Sequence, residues 1–152
     1  EYKGFDFSMN WIGSFGATVY NGFRSTVDRF DDDTNYRAGI QPWTPENPNT
    51  DFPRVVKAST MNARGDSDRW LEDGSFVRLK YIGFGYNVPE AFNDRIGLTS
   101  LRLSISGQNL VTFTDYTGLD PEFSNGNIFQ RGVDLGSFPN LQTYSLGVNL
   151  SF

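Results

Sequence analysis

The chain has 152 residues and is acidic, with 13 lysine and arginine residues against 18 aspartate and glutamate residues and a formal net charge of −5. This balance argues against a nucleic-acid partner, for which a basic surface is expected. The sequence has neither cysteine nor histidine, which excludes disulfides, thiolate metal sites and histidine-dependent catalysis, and it has no run of about 18 apolar residues that would predict a transmembrane helix.

The first patterned segment spans residues 2–20 and alternates between apolar and polar residues. Its apolar residues fall on odd positions and are Phe5, Phe7, Met9, Trp11, Phe15, Ala17 and Val19. A period of two predicts an extended strand with one apolar and one polar face. Strands of soluble sheets average about five or six residues, whereas a tilted strand needs about nine to eleven to cross a bilayer.

Residues 21–75 are predicted to form a long loop, because their composition differs from that of the strand before them. Asp31, Asp32 and Asp33 form an acidic run, and prolines recur at positions 42, 45 and 48. Proline cannot donate a ladder hydrogen bond, which excludes a central strand here. We interpret the acidic run as a solvated surface. A calcium site is the alternative, although the regular ligand spacing of an EF-hand is absent.

The second strand is predicted over residues 76–88. Its downstream half places Ile82, Phe84, Tyr86 and Val88 on one face. Upstream, Val77 and Leu79 are out of phase with that face, and two explanations remain open. Either a β-bulge near Lys80 shifts the register, or Arg78 and Lys80 point outward to lipid headgroups.

The third strand is predicted over residues 101–113 and the fourth over residues 141–152, with a second long loop over residues 114–140. The apolar face of the third strand carries Leu101, Leu103, Ile105, Val111 and Phe113. The matching face of the fourth carries Tyr144, Leu146, Val148, Leu150 and Phe152. In outer-membrane barrels long loops lie outside the cell and short turns face the periplasm, which fits this order of a long loop, a short turn and a long loop.

The favoured fold class is therefore all-β, a transmembrane antiparallel up-and-down β-barrel of which this chain holds four strands. An aromatic content of 16% suits the two aromatic girdles of such a barrel. The alternative is a soluble carbohydrate-binding β-module, in which the apolar faces pack together and the aromatic loops bind glycan. Because the chain starts almost inside a patterned segment, we expect it to be a piece of a longer polypeptide.

Five ordered stretches carry a more specific pattern along the chain. They are SDRWLEDGSFVRLK (67–80), GYNVP (85–89), SGQNLVTFT (106–114), GLDPE (118–122) and GVDLGSFP (132–139). In this order and spacing, and together with the terminal strand, they resemble the C-terminal end of the SusC/RagA-like TonB-linked outer-membrane transporters.

The resemblance implies that residues 1–152 supply the last four strands of a plugged barrel of about 22 strands in the bacterial outer membrane. Transporters of this family import oligosaccharides or peptides, with a SusD-like surface lipoprotein acting as a lid. Their energy comes through TonB, which contacts an N-terminal part outside these 152 residues. Outer-membrane lipid is the other expected partner, and neither an enzyme activity nor a cofactor is expected.

The terminal strand resembles the signal that the barrel-assembly machinery reads in outer-membrane proteins. Its candidate signal residues are Tyr144, Leu146, Val148, Leu150 and Phe152. A barrel fragment caught as a client of that machinery is therefore a further alternative.

Trp43 and Trp70, in the first predicted loop, are candidate contacts for a ligand or for the lipoprotein. Their rings could stack on sugars, but packing within the loop or a lipoprotein contact is favoured. Asp120 and Glu122 imitate the carboxylate pair of a glycosidase, yet their loop setting favours a role in a turn. No catalytic, cofactor-binding or metal-binding residue is predicted.

Overall fold

Two separate β-sheets make up the computed structural model, which describes residues 2–28, 37–56, 67–124 and 127–152. The strands are β1 (Phe5–Ser14), β2 (Thr18–Asn21), β3 (Leu71–Asp73), β4 (Phe76–Asn87), β5 (Ser100–Thr114), β6 (Val133–Asp134) and β7 (Thr143–Ser151). The helices are α1 (Gly22–Val27) and α2 (Glu90–Asn93), with 3-10 turns at Asp68–Trp70, Asp94–Ile96 and Ile128–Gln130. Among the described residues, no helix has the length and apolar character needed to cross a membrane.

The first sheet has the strand order β1-β4-β5-β7, and every neighbouring pair is antiparallel. Each strand therefore pairs with the next long strand along the chain, which is the up-and-down arrangement predicted from the sequence. This confirms the all-β antiparallel fold class. The four strands form an open sheet in this chain.

The structure divides the predicted first strand, residues 2–20, between two sheets. β1 ends at Ser14, while β2 pairs with β3 in an antiparallel manner and with β6 in parallel. Between them Gly16 has a φ of +72°, in the left-handed region that glycine adopts most readily. Phe15, Ala17 and Val19 keep the alternating phase across this turn, so the pattern alone does not reveal the break.

The described parts of the two predicted long loops belong to a compact unit of their own. Residues 16–74 and 116–139 form this loop unit, whereas residues 1–15, 75–115 and 140–152 form the strand unit. The loop unit contains β2, β3, β6 and α1. Its buried apolar side chains are Val19, Trp70 and Tyr116, and its fully buried polar side chains are Asn21, Asp28 and Asp134.

A β-bulge in β4 explains the change of phase that the sequence shows there. Lys80 has no opposite residue in β1, because the pairing passes directly from Tyr81 to Leu79. The pairing with β5 also skips Lys80. On the β5 side two residues, Asn109 and Leu110, lie opposite no residue of β4 at this point. Because of the bulge, Val77 and Leu79 lie on the same face of the sheet as Ile82 and Phe84. This confirms the bulge as the explanation for the change of phase.

Candidate functional site

The strand unit presents one apolar face to which all four strands contribute. The register shows this directly, since Phe5 lies opposite Tyr86, Tyr86 opposite Leu103, and Leu103 opposite Val148. Large side chains on this face that are 41% to 83% exposed are Phe5, Phe7, Met9, Trp11, Phe84, Leu103, Ile105, Val111, Phe113, Tyr144, Leu146, Val148 and Leu150. A continuous apolar surface of this kind marks an interaction site or a membrane contact.

Aromatic rings from different strands stack near both ends of the apolar face, between β1 and β4 at one end and between β1 and β5, across β4, at the other. At one end the ring centroids of Phe5 and Tyr86 lie 4.3 Å apart. At the other end the rings of Trp11 and Phe113 stack with centroids 6.3 Å apart. A further pair, Phe7 and Phe84, lies one row inward from Phe5 and Tyr86, with ring centroids 4.9 Å apart. Aromatic residues near both ends of an apolar band are found where a barrel meets the two membrane–water interfaces.

The opposite face of the same sheet is polar and carries small residues. One row crosses all four strands as Ser8, Gly83, Ser106 and Ser145. The sheet therefore separates two chemical environments, because its neighbouring rows of side chains point to opposite sides.

An ion pair lies across the polar face. Arg102 donates from Nη1 and Nη2 to the two carboxylate oxygens of Asp6, at 2.6 and 3.0 Å, and from Nη1 to Asn87 Oδ1 at 3.0 Å. Gly85 is the partner of Asp6 in the register, and a Cβ at that position would meet both charged groups. The absence of a side chain at Gly85 is what lets the two groups meet across β4.

Arg78 also belongs to the polar face. It is 4% exposed, donates from Nε to Thr112 Oγ1 at 2.8 Å, and holds its guanidinium 5.7 Å from the ring centroid of Phe76. The explanation in which Arg78 points outward to lipid headgroups is therefore wrong. The bulge places this arginine on the side of the sheet where hydroxyl groups can bind it.

In the loop unit, the carboxylate of Glu72 joins three segments of the chain. It accepts hydrogen bonds from Arg24 Nη1 at 2.9 Å, from Asn21 Nδ2 at 3.2 Å and from the Thr117 backbone N–H at 2.9 Å. Burial acts to raise the pKa of Glu72, but the hydrogen bonds from Thr117 and Arg24 outweigh it and hold that pKa below its ordinary value. Glu72 is therefore a charged structural link.

Asp28 is a second link in the loop unit and is fully buried. Its carboxylate accepts from Arg37 Nε and Nη2 at 2.6 and 2.7 Å, and from Arg24 Nε at 3.2 Å. A buried carboxylate is tolerated when such charged donors satisfy it, and the removal of one partner is costly.

Asp134 is a third buried carboxylate, held by neutral donors. It accepts from the Tyr116 hydroxyl at 2.7 Å and from the backbone N–H groups of Gly136 and Ser137 at 2.9 and 3.1 Å. Burial, and then the hydrogen bond to Asp134, raise the pKa of Tyr116 far above its ordinary value. The phenol therefore remains protonated and continues to donate.

The two candidate tryptophans lie in different environments. Trp70 is only 2% exposed, and the guanidinium groups of Arg69 and Arg24 lie 5.0 and 5.9 Å from its ring centroid. In this structure Trp70 has no ring face free for a ligand. Trp43 is 37% exposed, and its backbone N–H donates to the carbonyl of Phe52 at 3.0 Å. Of the two, Trp43 presents ring surface.

The carboxylate pair at positions 120 and 122 forms a turn. Asp120 is 4% exposed, and its Oδ1 accepts from the backbone N–H of Glu122 at 2.9 Å, which is the geometry of an Asx turn. The acidic run at positions 31–33 lies outside the described residues. Among the described residues, no group of three or more potential acidic ligands is arranged to hold a metal ion.

Known proteins resemble this chain over its whole length, although no protein-family model matches it. TonB-dependent receptor P3 of Formosa agariphila is 40% identical over 170 residues, and receptor P26 of the same organism is 36% identical over 159. TonB-dependent receptor SusC of Bacteroides thetaiotaomicron is 26% identical over 156 residues. Each alignment covers 100% of this chain, which spans only 15%, 16% and 14% of these relatives.

Solved structures show the same fold. The RagAB peptide importer in its open-open state has a TM-score of 0.79 and 25% identity, over 98% of this chain and 16% of that one. A structure of the RagAB peptide transporter has a TM-score of 0.78 and 25% identity, over 100% of this chain and 16% of that one. The two-faced sheet is thus a segment of a fold found in much longer chains.

Val148 and Asn149 test the assignment of the two faces. Val148 is on the apolar face, whereas the register pairs its neighbour Asn149 with Arg102 on the polar face. A charge on a lipid-facing position of a barrel costs roughly 2–4 kcal/mol at the middle of the membrane and less towards the interfaces, with aspartate at the lower end. We expect Val148→Asp to reduce the folded full-length protein in outer-membrane fractions far more than Asn149→Asp, measured by heat-modifiable gel mobility. Equal yields would contradict the assigned faces.

Glu72 tests the network in the loop unit. Glutamine at this position loses the charge that attracts Arg24, so Glu72→Gln should lower the free energy of local unfolding by about 1 kcal/mol. Amide hydrogen exchange across β3 in the full-length protein measures the change, and Glu46→Gln at an exposed position is the matched control.

The contribution of Glu72 to stability should also depend on pH, because the pKa of its carboxyl is lowered in the folded state from about 4.5. Its contribution is therefore complete above that pH and is lost as the pH falls through the folded value. A difference between wild type and Glu72→Gln that grows in acid would contradict this sign.

Proposed function

Because this chain is a segment of a SusC/RagA-like TonB-dependent transporter, we propose that it forms part of the wall of an outer-membrane barrel that imports a nutrient with energy delivered through TonB. The observation that carries the proposal is the exposed apolar face of the strand unit, in a chain that aligns over its whole length with TonB-dependent receptors. The apolar face contacts lipid in this proposal, and the polar face lines the interior of the barrel.

The height of the apolar face supports a location in the outer membrane. On β5 this face runs from Leu101 to Phe113, which is about ten strand steps of roughly 3.3 Å once the bulge is subtracted. With the strands tilted by about 40°, the face spans roughly 25 Å along the membrane normal, close to the apolar band of outer-membrane barrels. The stacked aromatic pairs lie near the two ends of this span.

The chemistry of the polar face supports its role as the inner wall. The Asp6–Arg102 ion pair exposes 35% and 36% of its two side chains, so it is suited to water or to a polar protein surface. In hydrocarbon the same pair would carry a large desolvation penalty. The lumens of outer-membrane barrels are polar, which supports a position of the pair on the inner side of the wall.

We propose further that the imported substrate is an oligosaccharide or a peptide and that a SusD-like lipoprotein covers the transporter. RagAB is described as a peptide importer, which supports the peptide class. Trp43 is the candidate contact for substrate or lipoprotein, because it is 37% exposed and its backbone N–H donates to the carbonyl of Phe52 at 3.0 Å. The long connections of the chain lie on the outer side of the membrane in this proposal, as is general for barrels.

Uptake by cells that carry the full-length gene tests the proposed function. Fluorescently labelled tryptic peptides and labelled glucan oligosaccharides serve as the two probes. We expect accumulation of one of these classes, and we expect it to be abolished when the gene for TonB is deleted while the protein remains in the outer membrane. Uptake that persists without TonB, or no uptake of either class by cells with the folded protein, would overturn the proposal.

We also propose that the apolar face of β7 is the surface read by the barrel-assembly machinery. Support comes from its five alternating side chains, Tyr144, Leu146, Val148, Leu150 and Phe152, which are 50% to 92% exposed and fall on one side of the strand. Such a continuous row gives the assembly machinery one apolar surface to bind before lipid covers it.

Phe152 gives the test of this assembly role. Phe152→Ala should slow the appearance of folded full-length protein in the outer membrane several-fold, because the most exposed aromatic group of the row is lost. Pulse-chase labelling with protease protection measures the rate, and Ser151→Ala at the preceding position is the matched control. Assembly of both variants at the wild-type rate would contradict the role of Phe152.

A further inference from the structure

The connection between β4 and β5 is a short helical segment that exposes apolar side chains and buries a polar one. Phe92 and Ile96 lie about one helical turn apart and are 51% and 50% exposed. Asn93 is only 2% exposed, and its Nδ2 donates to the Val88 carbonyl at 3.1 Å. Its buried Oδ1 has no partner among the described residues. In water the opposite arrangement is favoured, since apolar groups gain from burial and buried amides need partners.

Backbone hydrogen bonds hold this segment directly on the ends of the long strands. The N–H of Val88 donates to the carbonyl of Leu101 at 2.9 Å, and the N–H of Thr99 donates to the carbonyl of Ser151 at 2.8 Å. Helix α2 and the 3-10 turn after it therefore lie immediately beyond the last rows of the apolar face. If the apolar face contacts lipid, this level is the boundary between the membrane and the periplasm.

Other side chains at the same ends of the strands have a matching character. Tyr2, just before β1, is 72% exposed, and Phe152, just after β7, is 92% exposed. Two cationic residues accompany them. The Nζ of Lys3 lies 5.3 Å from the ring centroid of Tyr2, and Arg95 is exposed beside Ile96. Aromatic and aliphatic groups mixed with lysine and arginine are typical of protein segments that lie in a membrane interface.

We propose that the α2 connection is an interfacial membrane anchor. In it, Phe92 and Ile96 insert between the acyl chains and headgroups of the periplasmic leaflet, with Arg95 at the level of the lipid phosphates. The inference rests on the proposed outer-membrane function and adds a task to it. By preferring the interface, the anchor fixes the depth at which β4 and β5 stand in the bilayer.

Lipid is a better occupant for this surface than a protein. Two apolar side chains on a single helical segment cover far less than the roughly 800 Å² per partner of a stable protein interface. They also continue a face of the chain that is apolar from one end of the strands to the other. A membrane needs no shape complementarity, so two inserted side chains are sufficient for an anchor.

Nitroxide labels at single cysteines, in full-length transporter reconstituted in phosphatidylethanolamine and phosphatidylglycerol vesicles, test the proposal. These 152 residues contain no cysteine, and any cysteine elsewhere in the protein is replaced by serine. The test variants are Phe92→Cys and Ile96→Cys. The matched control is Asp94→Cys, at an exposed position on the other side of the same segment, and Leu146→Cys reports the lipid-facing strand. Electron paramagnetic resonance then compares collisions with oxygen, which concentrates in lipid, and with a water-soluble nickel chelate.

We expect oxygen collisions to exceed nickel collisions several-fold at positions 92 and 96, and the reverse at position 94. Labels at 92 and 96 that behave like the label at 94, or that are shielded from both reagents, would overturn the anchor. A label at 146 that reports lipid in the same experiment would leave the transporter proposal standing. A label at 146 that reports water would overturn the proposed function together with the anchor.

Discussion

The structure depends on a separation of two environments by a single layer of backbone. In β1, β4, β5 and β7 the backbone pairs with neighbouring strands in a ladder that is interrupted at the bulge, so it is mainly the side chains that meet the surroundings. Alternate side chains then decide what each face can contact. An apolar row such as Phe5, Tyr86, Leu103 and Val148 is stable against hydrocarbon, and a row such as Ser8, Gly83, Ser106 and Ser145 is stable against water or a polar protein surface.

The bulge at Lys80 preserves this separation where the sequence would otherwise break it. Without the extra residue, Val77 and Leu79 would stand on the polar face and Arg78 on the apolar one. With it, Arg78 reaches the hydroxyl of Thr112, and Leu79 lies between Trp11 and Val111 in the register. A shift of one residue reverses the facing of every later side chain. The three strands stay in phase because the pairings with β1 and with β5 both skip Lys80.

The strands and their faces were predictable from the sequence because alternation is a local property. The pattern identifies Ile82, Phe84 and Tyr86 as one face without any knowledge of their partners. The loop unit was not predictable in this way, since its links join residues far apart in the chain. Glu72 binds Arg24 and Thr117, which are 48 and 45 positions away, and nothing in their spacing reveals the contact. The end of β1 was missed for a related reason, because the alternation continues beyond the turn at Gly16.

The loop unit differs from the strand unit in what holds it together, and the reason lies in its composition. Its described core contains few large apolar side chains, so burial alone contributes little cohesion. Buried carboxylates also hold the loop unit together, because one carboxylate such as Glu72 or Asp28 can accept hydrogen bonds from several residues at once. Their charge also makes each link dependent on specific partners, which favours one arrangement of the loops over looser ones. The same reliance on charged partners is seen at the buried Trp70, because the guanidinium groups of Arg69 and Arg24 lie 5.0 and 5.9 Å from its ring centroid.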